Sequence, residues 1–433
     1  MKKIIFALCL FCIASSARVQ SLYFPPLTGS TWEQTAPENL GWCQENIDSL
    51  YAYLEATNTK AFLLLKDGKI VLEKYMNGFA QSDQWVWNSA AKTLTGFAVG
   101  IAQEKGLLSL NDSSSHYLGS GWTSLTPEQE GNITIRHQIT MTSGLKSTGD
   151  HYCTDPECLI YAAEPGTRWS YHNAPYTLLD RVLTEATGIN YDDFIENNIR
   201  QKIGMDGKFY KVGFNNIHLS TARSMARFGL LLLADGTWDG TEILGDQVFL
   251  DSMRNTSQEM NPSYGFLTWL NGKSSYMLPI ESLQISINRT ALPNAPEDVY
   301  MALGKDGQMI NVSPSEKLIM VRMGEADGNS LVPNDYNDTI WQKINQLPCT
   351  IGLMEQELHS FQIHPNPGSD RIHLKLPEGE VVKQISILST QGKEVELFVR
   401  PEKEVNVSGL LPGIYFIEVQ TEDRRYQSKF IRM

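Results

Sequence analysis

Two strand-rich stretches that lie far apart in the chain restrict the fold more than any other feature. Residues 61–75, AFLLLKDGKIVLEKY, contain two β-rich runs on either side of a Lys-Asp-Gly-Lys turn, a pattern typical of a β-hairpin. Residues 299–324 contain VYMAL before a glycine and then QMINVSPSEKLIMVRMG, which predicts two further strands around a Pro-Ser turn. Both stretches therefore predict antiparallel strands.

The sequence between these stretches predicts helices. Apolar residues recur at spacings of three and four in residues 174–187 and 222–234, and helices are also predicted for residues 47–55 and 338–347. The order is helix, strands, helical insertion, strands, helix. We therefore predict an α+β fold, in which strands from both ends of the region form one antiparallel sheet flanked by helices.

The last part of the chain has a different pattern. Residues 358–433 read as short alternating strands separated by Pro, Gly and Asn turns roughly every ten residues, which predicts a small all-β sandwich. The 433 residues also exceed what one compact domain usually holds. The predicted organisation is a signal peptide, a lead-in segment, a large domain, a linker and a β-sandwich, at residues 1–20, 21–37, 38–350, 351–357 and 358–433.

The N-terminus predicts export. In MKKIIFALCLFCIASSARVQS two lysines precede an apolar run at residues 4–13, and small residues follow at 14–17, as in a secretory signal peptide cleaved between residues 17 and 20. A membrane anchor is the alternative, but the apolar run is shorter than the ~20 residues that a membrane-spanning helix needs.

Four cysteines remain after removal of that segment, and they allow three pairings. Cys153 and Cys158 flank a turn-forming Thr-Asp-Pro-Glu stretch, which favours a local disulfide and leaves Cys43 to pair with Cys349. Free buried thiols are the alternative, which is less expected in an oxidising compartment. The eight histidines are scattered and none lies beside cysteines at zinc-ligand spacing, so neither a metal nor another cofactor is predicted.

Charge and missing motifs exclude several function classes. A net charge of −13 without a basic cluster argues against binding to nucleic acid or to anionic membranes. No Gly-x-Ser-x-Gly elbow, phosphate-binding glycine loop or His-Glu-x-x-His motif occurs in the sequence.

A serine and a lysine three residues apart begin an apolar helical pattern in QWVWNSAAKTLTGFAVGIAQ, residues 84–103. Residues at this spacing share one helix face, so Lys92 could act as the base for Ser89 if burial lowers its pKa from about 10.4. The same spacing recurs at Ser143 and Lys146, without a helical pattern. The context therefore favours Ser89 as the nucleophile.

Two further short motifs add polar groups. Tyr171-His172-Asn173 lies in a turn before a predicted helix, and Lys305 lies in Gly-Lys-Asp-Gly-Gln between two predicted strands. Each has a structural interpretation when taken alone: Tyr171 as a packed aromatic, Asn173 as a helix N-cap and Lys305 as a solvated turn residue. His172 is interpreted as structural.

Together, Ser89-x-x-Lys92, Tyr171-x-Asn173 and Lys305-Asp306-Gly307 resemble the serine β-lactamase and penicillin-binding-protein superfamily, above all its class C-related esterases, D-aminopeptidases and amide hydrolases. The resemblance covers residues 38–348. It implies a β-lactamase-like fold and an acyl-enzyme mechanism. The sequence departs from β-lactamases at Asp306, where they usually have Thr or Ser, and this puts antibiotic hydrolysis in doubt.

The resemblance also implies a role for each matching residue. Ser89 would attack a carbonyl, and Lys92 and Tyr171 would share the general base and acid work. Substrate binding would fall to Asn173, Lys305 and Gly307, and the backbone N–H groups of Ser89 and Gln308 would form the oxyanion hole. Specificity would lie in the loops of residues 113–170 and 255–300.

The tail resembles the C-terminal sorting domain of type IX secretion in Bacteroidetes, on its His-Pro-Asn-Pro opening, its Val-Ser-Gly-Leu-Leu-Pro-Gly-Ile-Tyr-Phe run and its basic end. This implies a protein that is secreted or held at the cell surface after passing the periplasm, with the type IX machinery as a partner. A β module for carbohydrate or protein contact is the alternative.

The predicted function is hydrolysis of an ester, a small amide or a D-amino-acid peptide through an acyl-enzyme on Ser89. Two alternatives remain open: a non-catalytic surface binding protein, and a true β-lactamase or D,D-peptidase.

Overall fold

The computed structural model describes residues 22–326, 332–349, 360–377, 379–390, 393–399, 403–421 and 424–433. The predicted signal peptide and the predicted linker, at residues 1–20 and 351–357, lie outside the described residues. Two compact units are present, one ending at Pro348 and one beginning at Cys349.

The helices of the first unit are α1 (Gln44–Ala56), α2 (Ala91–Glu104), α3 (Ser115–Leu118), α4 (Pro127–Gly131), α5 (Ile135–Ile139), α6 (Asn173–Thr177), α7 (Leu179–Thr187), α8 (Tyr191–Ile195), α9 (Gln201–Ile203), α10 (Ala222–Leu233), α11 (Gln247–Arg254) and α12 (Asn334–Asn345). Short 3₁₀ turns occur at Pro37–Leu40, Asn88–Ala90, Pro156–Cys158 and Lys305–Gly307, and a π turn at Glu196–Arg200 joins α8 to α9. The helix expected at 174–187 is divided at Leu178, whose ψ of −11° departs from the helical value.

The strands of the first unit are β1 (Thr59–Lys66), β2 (Lys69–Tyr75), β3 (Trp85–Val86), β4 (Leu145–Ser147), β5 (Leu159–Tyr161), β6 (Lys208–Val212), β7 (Asn215–Ser220), β8 (Thr237–Trp238), β9 (Thr241–Glu242), β10 (Trp269–Leu270), β11 (Tyr276–Met277), β12 (Ser286–Ile287), β13 (Tyr300–Gly304), β14 (Gln308–Ser313) and β15 (Leu318–Gly324).

Six of these strands form the main antiparallel sheet, in the order β10-β13-β14-β15-β1-β2. β1 pairs with β15 in a register that places Leu63 opposite Val321 and Leu64 opposite Met320. The pairing closes the sheet between the two ends of the unit, which confirms the α+β prediction of one antiparallel sheet whose strands come from both ends.

Helices cover the sheet. α1 contacts β1 and α12, whereas α10 contacts β1, β14 and β15. Every residue of β14 and β15 is buried, including polar ones such as Asn311 and Arg322, so neither strand shows the alternation of a half-exposed strand. α2 is also enclosed, because all its residues from Ala91 to Ala102 are buried and it contacts α7 and β13. This helix therefore offers a rigid base for the residues at its N-terminus.

The second unit is all-β. Its strands are β16 (Gln362–His364), β17 (Arg371–Lys375), β18 (Val382–Ser389), β19 (Glu394–Val399), β20 (Glu404–Asn406), β21 (Gly413–Thr421) and β22 (Arg425–Arg432). They form two antiparallel sheets, β16-β17-β20 and β19-β18-β21-β22, around one core that includes Ile372, Ile385, Ile417 and Phe430. The predicted small β-sandwich is confirmed.

The disulfide prediction is also confirmed. Cys153 bonds to Cys158, and Cys43 and Cys349 are also disulfide-bonded. Within the described part of the chain, no helix is both long and apolar enough to cross a bilayer.

Candidate active site

Ser89 lies in the 3₁₀ turn Asn88–Ala90, directly before α2. The preceding β3 pairs with β7, with Trp85 opposite Ser220, and the Trp87 N–H donates to the His218 carbonyl over 2.9 Å. The Trp87 indole N–H also donates to the Ser220 hydroxyl over 2.7 Å. The turn that presents Ser89 is therefore anchored on both the strand side and the helix side.

The end of β13 lies against this turn. A Cβ atom at Gly304 would be 2.4 Å from the Trp87 carbonyl oxygen and 3.1 Å from the Ala90 nitrogen, so only glycine allows the approach. Asn88, in the left-handed region at φ 48°, donates its side-chain amide to the Lys305 carbonyl over 2.9 Å. These contacts bring the Ser89 and Lys305 turns together.

Lys92 reaches the candidate nucleophile. Its Nζ donates to the Ser89 Oγ over 3.0 Å, and it lies 4.3 Å from the ring centre of Tyr176 and 5.1 Å from that of Tyr171. The side chain is buried, and burial lowers the pKa of Lys92 to about 7. At neutral pH a large fraction of the amine is therefore unprotonated and able to accept a proton.

Tyr171 lies in an aromatic cluster. Its ring is stacked on Trp269 with centroids 5.7 Å apart and meets Tyr264 edge-on. Burial raises the pKa of the Tyr171 phenol, and hydrogen bonding with Ser89 lowers it only in part. Because the phenol stays protonated near neutral pH, Lys92 is the better initial base and Tyr171 the better proton donor.

A buried arginine, which no sequence pattern indicated, holds the Lys305–Gly307 turn in place. Arg322 on β15 donates to the carbonyls of Asp306 and Gly307, over 2.6 and 3.1 Å. Gly307 has φ 78°, and a Cβ there would be 2.6 Å from the same guanidinium. Gln308 exchanges two side-chain hydrogen bonds with the backbone of Gly324, which directs its amide group toward β15.

The backbone of the candidate oxyanion hole lies on both sides of Gly304. A Cβ atom added at Gly304 would lie 3.1 Å from the backbone nitrogen of Ala90, the residue after Ser89, and 3.1 Å from the Cβ of Gln308. Ser89 is the second residue of its turn, where backbone N–H groups have no partner within a helix.

A cavity of about 110 Å³ joins most of the predicted site residues. Ser89, Lys92, Asn173 and Lys305 line it. Asn173 is the first residue of α6, with His172 at the N-cap position and no side-chain capping bond, so the N-cap interpretation of Asn173 is wrong.

Other cavity-lining residues were not singled out by sequence: Asn88, Tyr152, Tyr176, Asn215, Asn216 and Ile217. Tyr176 bonds to the Thr95 hydroxyl over 3.1 Å, which links it to α2, and Asn216 donates to Asp180 over 2.8 Å. Asn88 directly precedes Ser89, and Tyr176 follows Tyr171 by five residues, so both lie close in sequence to predicted site residues.

The second Ser-x-x-Lys motif is not a comparable pair. Ser143 is buried and its Oγ accepts from the Leu145 N–H at 3.4 Å, whereas Lys146 is exposed on β4.

His172 is buried, and burial lowers its pKa to about 4. Four larger cavities in the described part of the chain, of about 580, 480, 460 and 180 Å³, have neither Ser89 nor Lys92 in their linings. Among the residues described, no cluster of three or more His, Cys, Asp or Glu could hold a metal ion.

This arrangement of a serine, a buried lysine and a tyrosine agrees with the match of residues 50–338 to the Beta-lactamase family model. The chain belongs to the beta-lactamase family. This is a family of serine hydrolases. The similar proteins described below include a 6-aminohexanoate-dimer hydrolase and a carboxylesterase.

Individual relatives are distant. An uncharacterized protein of Alkalihalophilus pseudofirmus is 22% identical over 329 residues, 67% of this chain and 90% of that protein. The 6-aminohexanoate-dimer hydrolase of Paenarthrobacter ureafaciens is 22% identical over 251 residues, 49% of this chain and 62% of that one. The crystal structure of a family VIII carboxylesterase aligns with a TM-score of 0.53 at 13% identity, over 70% of this chain and 97% of that chain, which shows a shared fold.

The tail has its own match. Residues 362–433 match the secretion system C-terminal sorting domain. The protein therefore carries the signal for type IX secretion as found in Bacteroidetes, and the prediction of a secreted or cell-surface protein is confirmed.

Proposed function

We propose that this exported protein is a serine hydrolase that cleaves an ester, a small amide or a D-amino-acid peptide through an acyl-enzyme on Ser89. The observation that carries the proposal is the 3.0 Å hydrogen bond between the Lys92 Nζ and the Ser89 Oγ, made by a lysine whose pKa burial lowers to about 7. A serine becomes nucleophilic when a base at this distance can take its proton.

The first half of the reaction forms the acyl-enzyme. The Ser89 Oγ attacks the substrate carbonyl carbon while its proton moves to the Lys92 amine. The oxygen that gains negative charge is stabilised by the backbone N–H groups of Ser89 and Gln308. As the tetrahedral intermediate collapses, the bond to the leaving group breaks, and that group receives a proton from Lys92 through the Tyr171 hydroxyl.

The second half regenerates the enzyme. Water attacks the ester carbon and gives one proton to the amine of Lys92. The bond between that carbon and the Ser89 Oγ then breaks, Lys92 returns the proton to Oγ, and the acid is released. Tyr171 stays protonated as a relay, which agrees with the upward shift of its pKa.

The lining of the cleft supports a small, polar substrate. Four asparagines, Asn88, Asn173, Asn215 and Asn216, line a cavity of about 110 Å³ together with Lys305. The amide N–H groups of Asn88 and Asn216 already donate to the Lys305 carbonyl and to Asp180. Such groups hydrogen-bond to amide or carboxylate groups and offer little to a long aliphatic acyl chain. This favours an amide or a short polar ester. Asp306, in the same turn as Lys305, argues against the carboxylate of a β-lactam.

Covalent labelling tests the proposal. Wild type, Ser89→Ala and the matched control Ser143→Ala are incubated with a fluorophosphonate and, separately, with a penicillin, and intact masses are measured. We expect a fluorophosphonate adduct on wild type and on Ser143→Ala and none on Ser89→Ala. Folded wild-type protein that gains no adduct from either reagent would favour the non-catalytic binding protein. Penicillin adducts with slow release would favour a penicillin-recognising enzyme.

A further inference from the structure

One buried carboxylate joins two distant segments of the chain, one of which leads to a residue that lines the cleft. Glu281 lies in the segment between β11 and β12, and its side chain is 8% exposed. One carboxylate oxygen accepts from the Ser147 N–H over 2.8 Å. The other accepts from the Ser147 hydroxyl and from the His151 ring, each over 2.7 Å. Three donors from residues 147–151 therefore converge on a single side chain.

The main chain of Glu281 is fixed separately. Its carbonyl accepts from an Arg168 Nη over 3.0 Å, and the other Nη of Arg168 donates to the Leu145 carbonyl at 3.4 Å. Arg168 is three residues before Tyr171. The position of Glu281 is thus set by the segment that carries Tyr171, while its carboxylate holds the neighbouring loop.

The loop that the carboxylate holds presents an aromatic ring to the cleft. Tyr152 follows His151 directly, lines the cavity with Ser89 and is 42% exposed. The next residue, Cys153, is tied to Cys158. Tyr152 therefore lies between His151, which is hydrogen-bonded to Glu281, and Cys153, which is covalently bonded to Cys158.

We propose that Glu281 is a positioning residue that sets the place of Tyr152 in the cleft, and that Tyr152 determines substrate affinity. The proposal rests on the acyl-enzyme function proposed above. Among the described residues, the carboxylate of Glu281 accepts hydrogen bonds from Ser147 and His151 and none from Ser89, Lys92 or Tyr171. Hydrogen bonds to a carboxylate with little solvent access are stronger than neutral ones, so their loss frees the loop.

The carboxylate and the main-chain carbonyl of Glu281 bind different partners, so a substitution can remove one contact and keep the other. Replacing Glu281 with Ala removes the carboxylate but keeps the main-chain carbonyl that Arg168 binds. The segment before Tyr171 therefore stays in place, and the loop of Tyr152 is released. A variant at this position is expected to change substrate binding and to leave the reactivity of Ser89 intact.

Kinetics with a panel of short p-nitrophenyl esters of N-acetyl amino acids tests this. We expect KM to rise about fivefold to tenfold in Glu281→Ala, the effect of misplacing one aromatic contact, with kcat and the fluorophosphonate labelling rate within twofold of wild type. Tyr152→Ala is expected to raise KM similarly, and the double variant no further, because both changes remove the same contact.

Glu281→Gln, which can still accept hydrogen bonds, should recover part of the affinity. Asp235→Asn, which disturbs the ion pair with Arg254, is the control for a general loss of charge.

Hydrogen exchange provides a readout that needs no turnover. The Ser147 amide donates to Glu281, so its exchange, and that of neighbouring amides up to Cys153, should accelerate in Glu281→Ala. Unchanged exchange, an unchanged KM, additive effects in the double variant, or equal losses of kcat and labelling would each overturn the proposal. If wild type shows neither labelling nor turnover, the proposed function fails, and the exchange result alone then decides whether Glu281 holds the loop.

Discussion

Replacing Lys92 with Met should inactivate the enzyme and yet stabilise the fold at neutral pH. Methionine has a similar length, and its thioether makes favourable contacts with aromatic rings such as those of Tyr171 and Tyr176. The substitution removes an ionisable group that the folded state holds in a buried position. Activity is expected to fall by a factor of about 10³ or more, as is typical when a nucleophile loses its base.

The stability effect follows from the pKa of Lys92. It is about 7 in the folded protein and about 10.5 in the unfolded chain, a difference of about 3.5 units. At about 1.36 kcal/mol per unit, holding this lysine in the fold costs about 5 kcal/mol below pH 7. Between pH 7 and 10.5 the unfolded chain binds one proton more than the folded one, so the wild type gains stability as the pH rises. The Met variant lacks this gain.

The measurable quantity is the difference in free energy of unfolding between Lys92→Met and wild type. We expect this difference to fall by about 2 kcal/mol between pH 7.5 and 9.0, whatever constant amount the lost hydrogen bond to Ser89 subtracts. Urea unfolding is followed by tryptophan fluorescence. All nine tryptophans precede residue 348, so the signal reports the hydrolase unit and not the sorting domain.

Lys105→Met serves as the matched control, because Lys105 is exposed at the end of the same helix. Its difference from wild type should stay constant over this pH range. A pH-independent difference for Lys92→Met as well would refute the argument, since it would mean that Lys92 titrates alike in the folded and unfolded chains.

Three further outcomes are expected. The rate of fluorophosphonate labelling should rise with pH through about 7 and then level off, following the neutral form of Lys92. The rate is measured at each pH by quenching samples at fixed times and recording intact masses, and a rate that does not change with pH would contradict this expectation. Gly304→Ala should slow labelling at least tenfold and destabilise the fold by about 1–3 kcal/mol, because its Cβ would lie 2.4 Å from the Trp87 carbonyl oxygen; unchanged labelling would show that the turn can move at no cost. Asp306→Asn should speed acylation by penicillin about fivefold, since a like charge near the drug carboxylate is removed; an equal or slower rate would argue against that repulsion.

The parts of the fold with local patterns were predictable. The hairpin of β1 and β2 follows from its turn residues, and the enclosed helix α2 from its apolar spacing. The contact between Ser89 and Lys92 is likewise local, because three residues separate them. Tyr171 and Lys305 could be proposed only through the family resemblance, since nothing near them in the chain indicates what they meet.

Other parts of the cleft had no such signal. Glu281 meets Ser147 across 134 residues of chain; Glu281 lies in a loop, Ser147 ends the three-residue strand β4, and neither segment has a periodic pattern. Asn215 and Asn216 reach the cavity because the hairpin of β6 and β7 pairs with β3, a contact that depends on the complete fold. Of the two loop regions expected to set specificity, residues 113–170 contribute Tyr152 to the cavity that contains Ser89, whereas none of the described residues that line this cavity comes from 255–300. Which loop side chains face the cleft depends on tertiary contacts alone.

Strand β7 both lines the cleft and holds the segment that leads to Ser89, and this restricts which changes in β7 can alter substrate specificity. Its first residues, Asn215 and Asn216, form a wall of the cleft, whereas its last, Ser220, holds the strand that leads to Ser89. A change that shifts the register of β7 to admit a new substrate would also displace Ser89, the proposed nucleophile. Exchanges of single side chains at residues 215–217, and insertions at the tip around Gly213, are therefore the routes by which relatives could acquire new substrates without loss of reactivity.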